Sequence, residues 1–397
     1  MNIRKRLFDV EIALRARAAL RDGRGESQSG CTEVLLCIVD HFEPQVGRPA
    51  ADVSRKRLED WIERYPGIAG SHRDFSGRIP KHSFFYPWDE FDAWEFERLS
   101  AHCADGWGEI ELHLHHRDDT DQTLRAKLRE ALEAYRGFGA LSAWPDGRPA
   151  FGFIHGNWAL DNSRTDGGRN YCGVNNEITI LQEEGCFADF TFPSWQEFSQ
   201  PRTTNSIYYA VDDPLRPKSH DRGIKAKVGR TDASGLPIIQ GPLIPSFGIA
   251  NGRPRFTMDD GDLASYRRYT PERLARWISA GIHVSGRPNR VFIKLHTHGA
   301  ADANRQALLG EDLDRLFADA ESQYNDGSCF RLYHVTAREM FNLVKATEAG
   351  IESVEEGRDW ILPPPQSATV AVSDRKVGST TSFRDTTCTP TIERNQG

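Results

Sequence analysis

Residues 32–39 (TEVLLCIV) are almost continuously apolar and run straight into Asp40-His41-Phe42-Glu43-Pro44. A run this short and this apolar keeps no polar face for water. It predicts a strand buried on both sides, which is the habit of parallel sheets. Parallel strands need long crossover connections, usually helices, and the chain supplies them. Helical stripes are expected over residues 52–65 (Val53, Leu58, Trp61, Ile62), 88–104 (Phe91, Trp94, Phe96, Leu99) and 121–137 (Leu124, Leu128, Leu132, Tyr135). Between and after them lie strand-like stretches at 81–86, 108–114, 151–155 and 187–194, with a short helix expected at 177–184. Regular strand–helix alternation predicts an α/β fold with a parallel sheet and right-handed crossovers.

Residues 196–262 break this rhythm. They are rich in Pro, Gly and Asp, with strand-like pieces only at 206–211 and 237–244. A stretch of this length inside a domain usually carries function, so it is expected to be an insertion forming part of a substrate cleft. The alternation resumes with a helix at 270–280, a strand at 290–298, a helix at 311–324, a strand at 329–335 and a helix at 337–349. Residues 22–30 read as a linker, and residues 363–397 as a disordered tail.

Histidine is concentrated where these strands end. In GEIELHLHHRDDT (108–120), alternation puts Ile110, Leu112 and Leu114 on one face and Glu109, Glu111, His113 and His115 on the other, with His116 following. A second His–X–His pair, His296 and His298, closes the apolar run before it in KLHTH. Neutral imidazole is the commonest protein ligand for zinc, and two on one face can converge on one ion. Two such pairs at two strand ends point to a metal or catalytic centre rather than to solvated polar ends. Asp40 and His41 stand just past the first strand, where parallel sheets place their chemistry.

Composition narrows the function classes. The 397 residues carry a net charge of −7 with both signs interspersed, which leaves no nucleic-acid footprint. Seven scattered cysteines without a CxxC pair argue for a reducing compartment and against a disulfide framework. Residues 1–20 contain basic side chains but no continuous apolar core. That pattern excludes a secretory signal and favours a cytoplasmic location. They read as an amphipathic helix whose face Ile3, Leu7, Val10, Ala13 and Leu14 docks onto the domain, with a membrane-surface role as the lesser alternative. No apolar run reaches transmembrane length.

Taken together, these segments resemble the polysaccharide deacetylase family, the NodB-homology fold. IVDHFEP (38–44) stands in the place of that family's paired-Asp motif, and HSFFY (82–86) in the place of its second strand. EIELHLHH (109–116) resembles its Glu-Ile-Gly-x-His segment, and FIKLHTH (292–298) its Leu-x-Leu-His motif. FIHGNWALDNS (153–163) and FADFTFPS (187–194) correspond to its later loops. The likeness spans residues 34–344 and implies a distorted (β/α) barrel with 196–262 as the insertion.

The resemblance also implies roles. Asp40 matches the general base and His296 the general acid. His41 falls on the second Asp, a metal ligand, and His113 on the first metal-binding His. The next ligand position falls on Arg117, which leaves His115 or His116 to ligate. Asn157, Trp158, Asp161, Asp189 and His298 are expected to line the substrate, with Trp195 and Tyr208 available to stack on sugar rings. The activity implied is hydrolytic removal of an acetyl group from an N-acetylated sugar or polysaccharide precursor by a divalent metal, zinc first. The alternatives are a metal-dependent hydrolase of another C–N bond, a non-catalytic glycan-binding relative, or a glycosidase using Asp40 and Asp189.

Overall fold

The computed structural model describes residues 3–25, 30–166, 169–195, 197–250 and 253–366. The tail expected from 363 onward therefore lies largely outside the described residues. The expected linker begins later than its composition predicts, because the N-terminal helix α1 (Ile3–Gly25) runs into it.

The chain then alternates as its periodicity predicts. β1 (Thr32–His41), α2 (Ala51–Ala69), β2 (His82–Pro87), α3 (Ala93–His102), β3 (Gly108–Leu114) and α4 (Asp121–Gly137) come first. After the short β4 (Ser142–Ala143) follow β5 (Pro149–His155), the hairpin β6 (Thr165–Asp166) and β7 (Arg169–Asn170), α5 (Glu177–Glu183) and β8 (Cys186–Asp189). Helix starts are set by side-chain caps that satisfy free N–H groups: Asp92 for α3 and Thr120, in a capping box, for α4.

Strand order explains where the core sits. β8, β5, β3, β2, β1 pair in parallel in sequence order, within a mostly parallel sheet of eleven strands. With every crossover of the same hand and direction, the connecting helices fall on one face. All ten residues of β1 are buried, as its apolar run requires. The opposite, inner face carries buried polar side chains such as Glu109, Glu111 and His113 and is covered near the strand starts by a late helix.

The segment 196–262 is not merely loop. It adds β9 (Ile207–Ala210), β10 (Ile224–Lys225) and β11 (Leu236–Ile239) to the main sheet, β11 pairing in parallel with β8. A separate hairpin, β12 (Ile244–Ala250) and β13 (Arg253–Asp259), completes it. After α6 (Pro271–Ser279), β14 (Arg290–Thr297) pairs in parallel along β1. The helix expected over 311–324 is preceded by α7 (Asp302–Ala307) and a π-helical turn at Leu308–Asp312, leaving α8 as Leu313–Tyr324.

β15 (Phe330–His334) then pairs with the first half of β1, while β2 pairs with its last three residues. α9 (Ala337–Glu348) follows, and α10 (Val354–Gly357) ends the regular structure.

The ladders form an open path from β10 to β14 among the described residues, not a closed ring. The buried Lys294 ammonium of β14 donates to the carbonyls of Phe190 and Phe192, at 2.8 and 2.6 Å, just beyond β8. The inner face near the strand starts is occupied by α9, buried at nearly every position. Its Arg338 makes a two-pronged ion pair with Glu109 of β3, at 2.8 and 3.0 Å. Charged groups enclosed this deeply persist only when paired.

α1 corrects the expectation made for it. Phe8, Ile12 and Ala16 dock it against Leu243 and Met258, whereas Ile3, Leu7, Val10 and Leu14 face outward.

Candidate metal centre

The carboxyl ends of β1, β3 and β14 converge on the inner face. His41 ends β1, His113 lies one residue from the end of β3, and His298 follows β14. Two residues beyond β1, Glu43 turns back over them. Its Oε1 lies 3.1 Å from His113 Nε2 and 3.0 Å from His115 Nε2, and its Oε2 lies 3.1 Å from His298 Nδ1. The His41 ring packs between His113 and His298, with centroids 4.9 and 4.5 Å away. His115 is fixed from its other side by Asp89, which accepts from both the His115 backbone N–H and Nδ1. Gly156 allows this approach: a Cβ there would meet the His115 ring at 2.3 Å.

Electrostatics follow from burial and pairing. Burial works against the Glu43 charge, yet hydrogen bonds from His113, His115 and His298 hold its carboxyl well below the usual range. Burial also works against a charged His115, but Asp89 and Glu43 push it up to about 10. His298 is raised against its burial through Glu43. His41 and His113 are lowered, chiefly by burial. They are neutral imidazoles, the form that ligates metals.

Donor chemistry and spacing both fit a divalent ion. Two donors bound to one ion at about 2.1 Å lie roughly 3.0–3.4 Å apart for right-angle or tetrahedral arrangements. The Glu43–His113 and Glu43–His115 separations fall in that range. The Nδ1 atoms of His41, His113 and His296 are buried with no hydrogen-bond partner. Glu43, His113 and His115 thus form a group able to hold a metal ion.

Asp40, expected as the general base, does not join them. Its side chain lies on the helix-bearing face, where Oδ2 pairs with His82 Nε2 at 2.9 Å and Oδ1 accepts the Gly299 N–H at 2.6 Å. Successive strand residues face opposite ways, so with His41 pointing inward Asp40 points toward α2 and Trp61. Its influence on the centre runs through Gly299, where a Cβ would clash with the Asp40 carboxylate at 2.1 Å. His296 is on the inner face and partly exposed, its ring centroid 6.4 Å from that of His41, and burial pushes it well below its ordinary value.

His116, expected beside His113 and His115, belongs to a second cluster. Its Nε2 lies 2.9 Å from Glu177 Oε1 and its Nδ1 3.0 Å from Asp119 Oδ2. Burial opposes its charge, but Glu177 and Asp119 push it up to about 9. Cys172 Sγ lies 3.3 Å from Glu177 Oε2, and His155 Nε2 lies 3.8 Å from Oε1. This buried group also has donors that could hold a metal ion. The Asn157 N–H, however, donates to His155 Nδ1 at 3.2 Å, which places that ring's proton on Nε2, facing Glu177. His116, the Asp161 N–H and Cys172 make a hydrogen-bonded cage around the buried Glu177 carboxylate, while His155 Nε2 is left without a hydrogen-bond partner.

Of the expected substrate-lining residues, Trp158 and His298 border the first centre, whereas the Asn157 amide donates to the carbonyls of His116 and Tyr171. The Trp158 ring meets His298 edge-on with centroids 6.4 Å apart, and both side chains are partly exposed. Trp158 adopts a left-handed φ of 51°, as do Asp161 (54°) and Asn162 (52°). Such backbone in bulky residues is characteristic of loops whose shape serves a site. Asp161 and Asp189 are enclosed instead. Asp161 accepts the Ser219 N–H at 2.6 Å, and burial pushes it up to about 8. Asp189 engages Thr191, and burial pushes it up to about 7.

Sequence reasoning missed Glu43, Asp89, His82, Cys172 and Glu177. Glu43 was visible three residues past Asp40 in DHFEP. The others come from separate segments, and nothing local marks them as partners of a histidine. No family model matches the chain, and none of the curated proteins matches it either.

Proposed function

We propose that this chain is a metal-dependent hydrolase that removes an acetyl group from an N-acetylated sugar or polysaccharide precursor. The observation that carries the reading is Glu43 bracketed by His113, His115 and His298 at the carboxyl ends of parallel strands. Mixed imidazole–carboxylate ligation suits zinc. A divalent ion held by Glu43, His113 and His115 would polarise an acetyl carbonyl and acidify a water molecule.

The remaining residues support the other steps. His298 is held by Glu43 through Nδ1 and is partly exposed, so its other nitrogen serves the substrate. It takes the attacking water's proton and returns it to the leaving amine. Asp40 acts as a positioning residue: by holding the Gly299 N–H it fixes the backbone that carries His298. Trp158 offers an aromatic face to a sugar ring, and Asn157 anchors its loop by donating to the His116 carbonyl. The Lys294 bridge from β14 to the Phe190 and Phe192 carbonyls beyond β8 is the observation that supports a barrel of the deacetylase type.

The test begins with metal analysis of purified protein beside His113→Ala. About one equivalent of zinc or a similar metal, lost in the variant, is expected. Acetate release from N-acetylated sugars is then expected of the metal-loaded wild type and not of His298→Ala. A protein that neither holds nor takes up metal would sink the reading. Metal without acetate release would favour hydrolysis of another C–N bond.

A further inference from the structure

α1 has two apolar faces, and the fold uses only one. Phe8, Ile12 and Ala16 are buried against Leu243 and Met258. Arg202 anchors the same side by bonding Glu11 at 2.9 Å, and the Lys218 ammonium lies 5.0 Å from the Phe8 ring centroid. On the far side Ile3, Leu7, Val10 and Leu14 are 76, 67, 58 and 61% exposed. At 3.6 residues per turn these four fall within a sector of about 60°, opposite the docked face. Scattered exposed apolar residues need no explanation, but an aligned stripe does.

The charges around the stripe select its occupant. Arg6, Arg17 and Arg21 are exposed and lie along the stripe's border or its continuation. Two of the helix's three acids are neutralised: Asp9 pairs with Lys5, and Glu11 with Arg15 and Arg202. The spacing 3, 7, 10, 14 is also that of a coiled-coil seam, and the same seam continues to 17 and 21. A second copy docked there would bury Arg17 and Arg21 in the seam, against like charge or apolar side chains. A lipid surface has no such conflict. Apolar side chains enter the acyl boundary while arginines reach the headgroup phosphates. Among the described residues no helix is long and apolar enough to cross a membrane, so the attachment would be peripheral.

We propose that the outer face of α1 binds the surface of an anionic lipid bilayer, through Ile3, Leu7, Val10 and Leu14 with Arg6, Arg17 and Arg21 at the headgroups. The test is flotation of the full chain with phosphatidylcholine vesicles, and with vesicles containing about one-third phosphatidylglycerol. The wild type is expected to float only with the anionic vesicles and to be released by salt. The double variants Leu7→Gln/Leu14→Gln and Arg17→Gln/Arg21→Gln are each expected to lose at least about tenfold in partitioning. Both alter exposed side chains, and unchanged near-UV circular dichroism would confirm intact folding. Three outcomes would overturn the proposal: no anionic-vesicle binding at low salt, binding indifferent to both double variants, or a solution dimer that Leu7→Gln/Leu14→Gln dissociates.

Discussion

Glu43 reaches His113 Nε2 at 3.1 Å although β1 and β3 are not neighbours, so the contact spans the full width of β2. A carboxylate that bridges two strands this way controls the donor set more than any single histidine. Glu43→Ala is expected to weaken metal binding by about 100-fold or more, beyond the usual effect of removing a group behind a ligand. Competition with a chromogenic chelator measures it. Unchanged affinity would remove Glu43 from the ligand set.

Gly156 offers a subtler probe. An added Cβ would stand 2.3 Å from the His115 ring. Gly156→Ala is expected to displace His115 and weaken metal binding by roughly 10–100-fold. Gly137→Ala, where a Cβ meets open space, serves as the control and is expected to leave binding unchanged. Equal behaviour of the two would show that His115 is not held for ligation.

Asp40 separates positioning from ligation. Asp40→Asn weakens its bonds to His82 and the Gly299 N–H. A loss of about 1–3 kcal/mol in stability is expected, the usual cost of disturbing a buried charge-assisted hydrogen bond. Metal content should stay at the wild-type level. Thermal unfolding and metal analysis on the same preparation decide it, and loss of metal with unchanged stability would return Asp40 to the centre.

The His116 cage gives a pH dependence with a definite sign. Folding raises His116 from its ordinary value near 6.5 to about 9, so the folded state holds more protons between those values. Its contribution is fully present below about pH 6.5 and is lost as pH rises through about 9; a shift of this size corresponds to about 3 kcal/mol at most. Denaturant unfolding at pH 6 and pH 9.5 is expected to show a smaller decline in His116→Asn than in the wild type. An identical decline would mean that His116 is not charged in the fold.

At the opposite end of the sheet, Arg338 and Glu109 form an enclosed pair. Arg338→Leu leaves Glu109 without its partner and is expected to cost about 3–5 kcal/mol, with Arg338→Leu/Glu109→Leu recovering part of the loss. Urea unfolding of both variants tests this. A single variant as stable as the wild type would refute it.

The sheet was largely legible because its signal is local. The apolar run of β1 and the stripes of α2 and α4 each carry their own period, and the structure places them where expected, except that Val53 of α2 is exposed. The centre was only half legible. The His–X–His spacing pointed to the convergence of His113 and His115, but His116, one residue on, turns away to Glu177. Asp40 misled because a strand's end marks a site without saying which face a residue takes. α1 misled for a related reason: with apolar residues on both sides, its sequence could not say which side docks. Asp89, His82 and Glu177 were beyond reach because their partnerships exist only across distant segments.

β1 lends one edge to two strands, β15 along its first half and β2 at its tip, while β14 takes the whole of the other edge. Two of those three partners lie about 260 and about 300 residues downstream. During synthesis the residues that will hold His41 and Glu43 emerge early, then wait with exposed strand edges while most of the polypeptide is made. The centre is therefore one of the last parts to assemble, and its closure depends on contacts of high sequence separation that form slowly. A ribosome stalled before residue 330 would present a nearly complete helical layer around a first strand still open to the wrong neighbour.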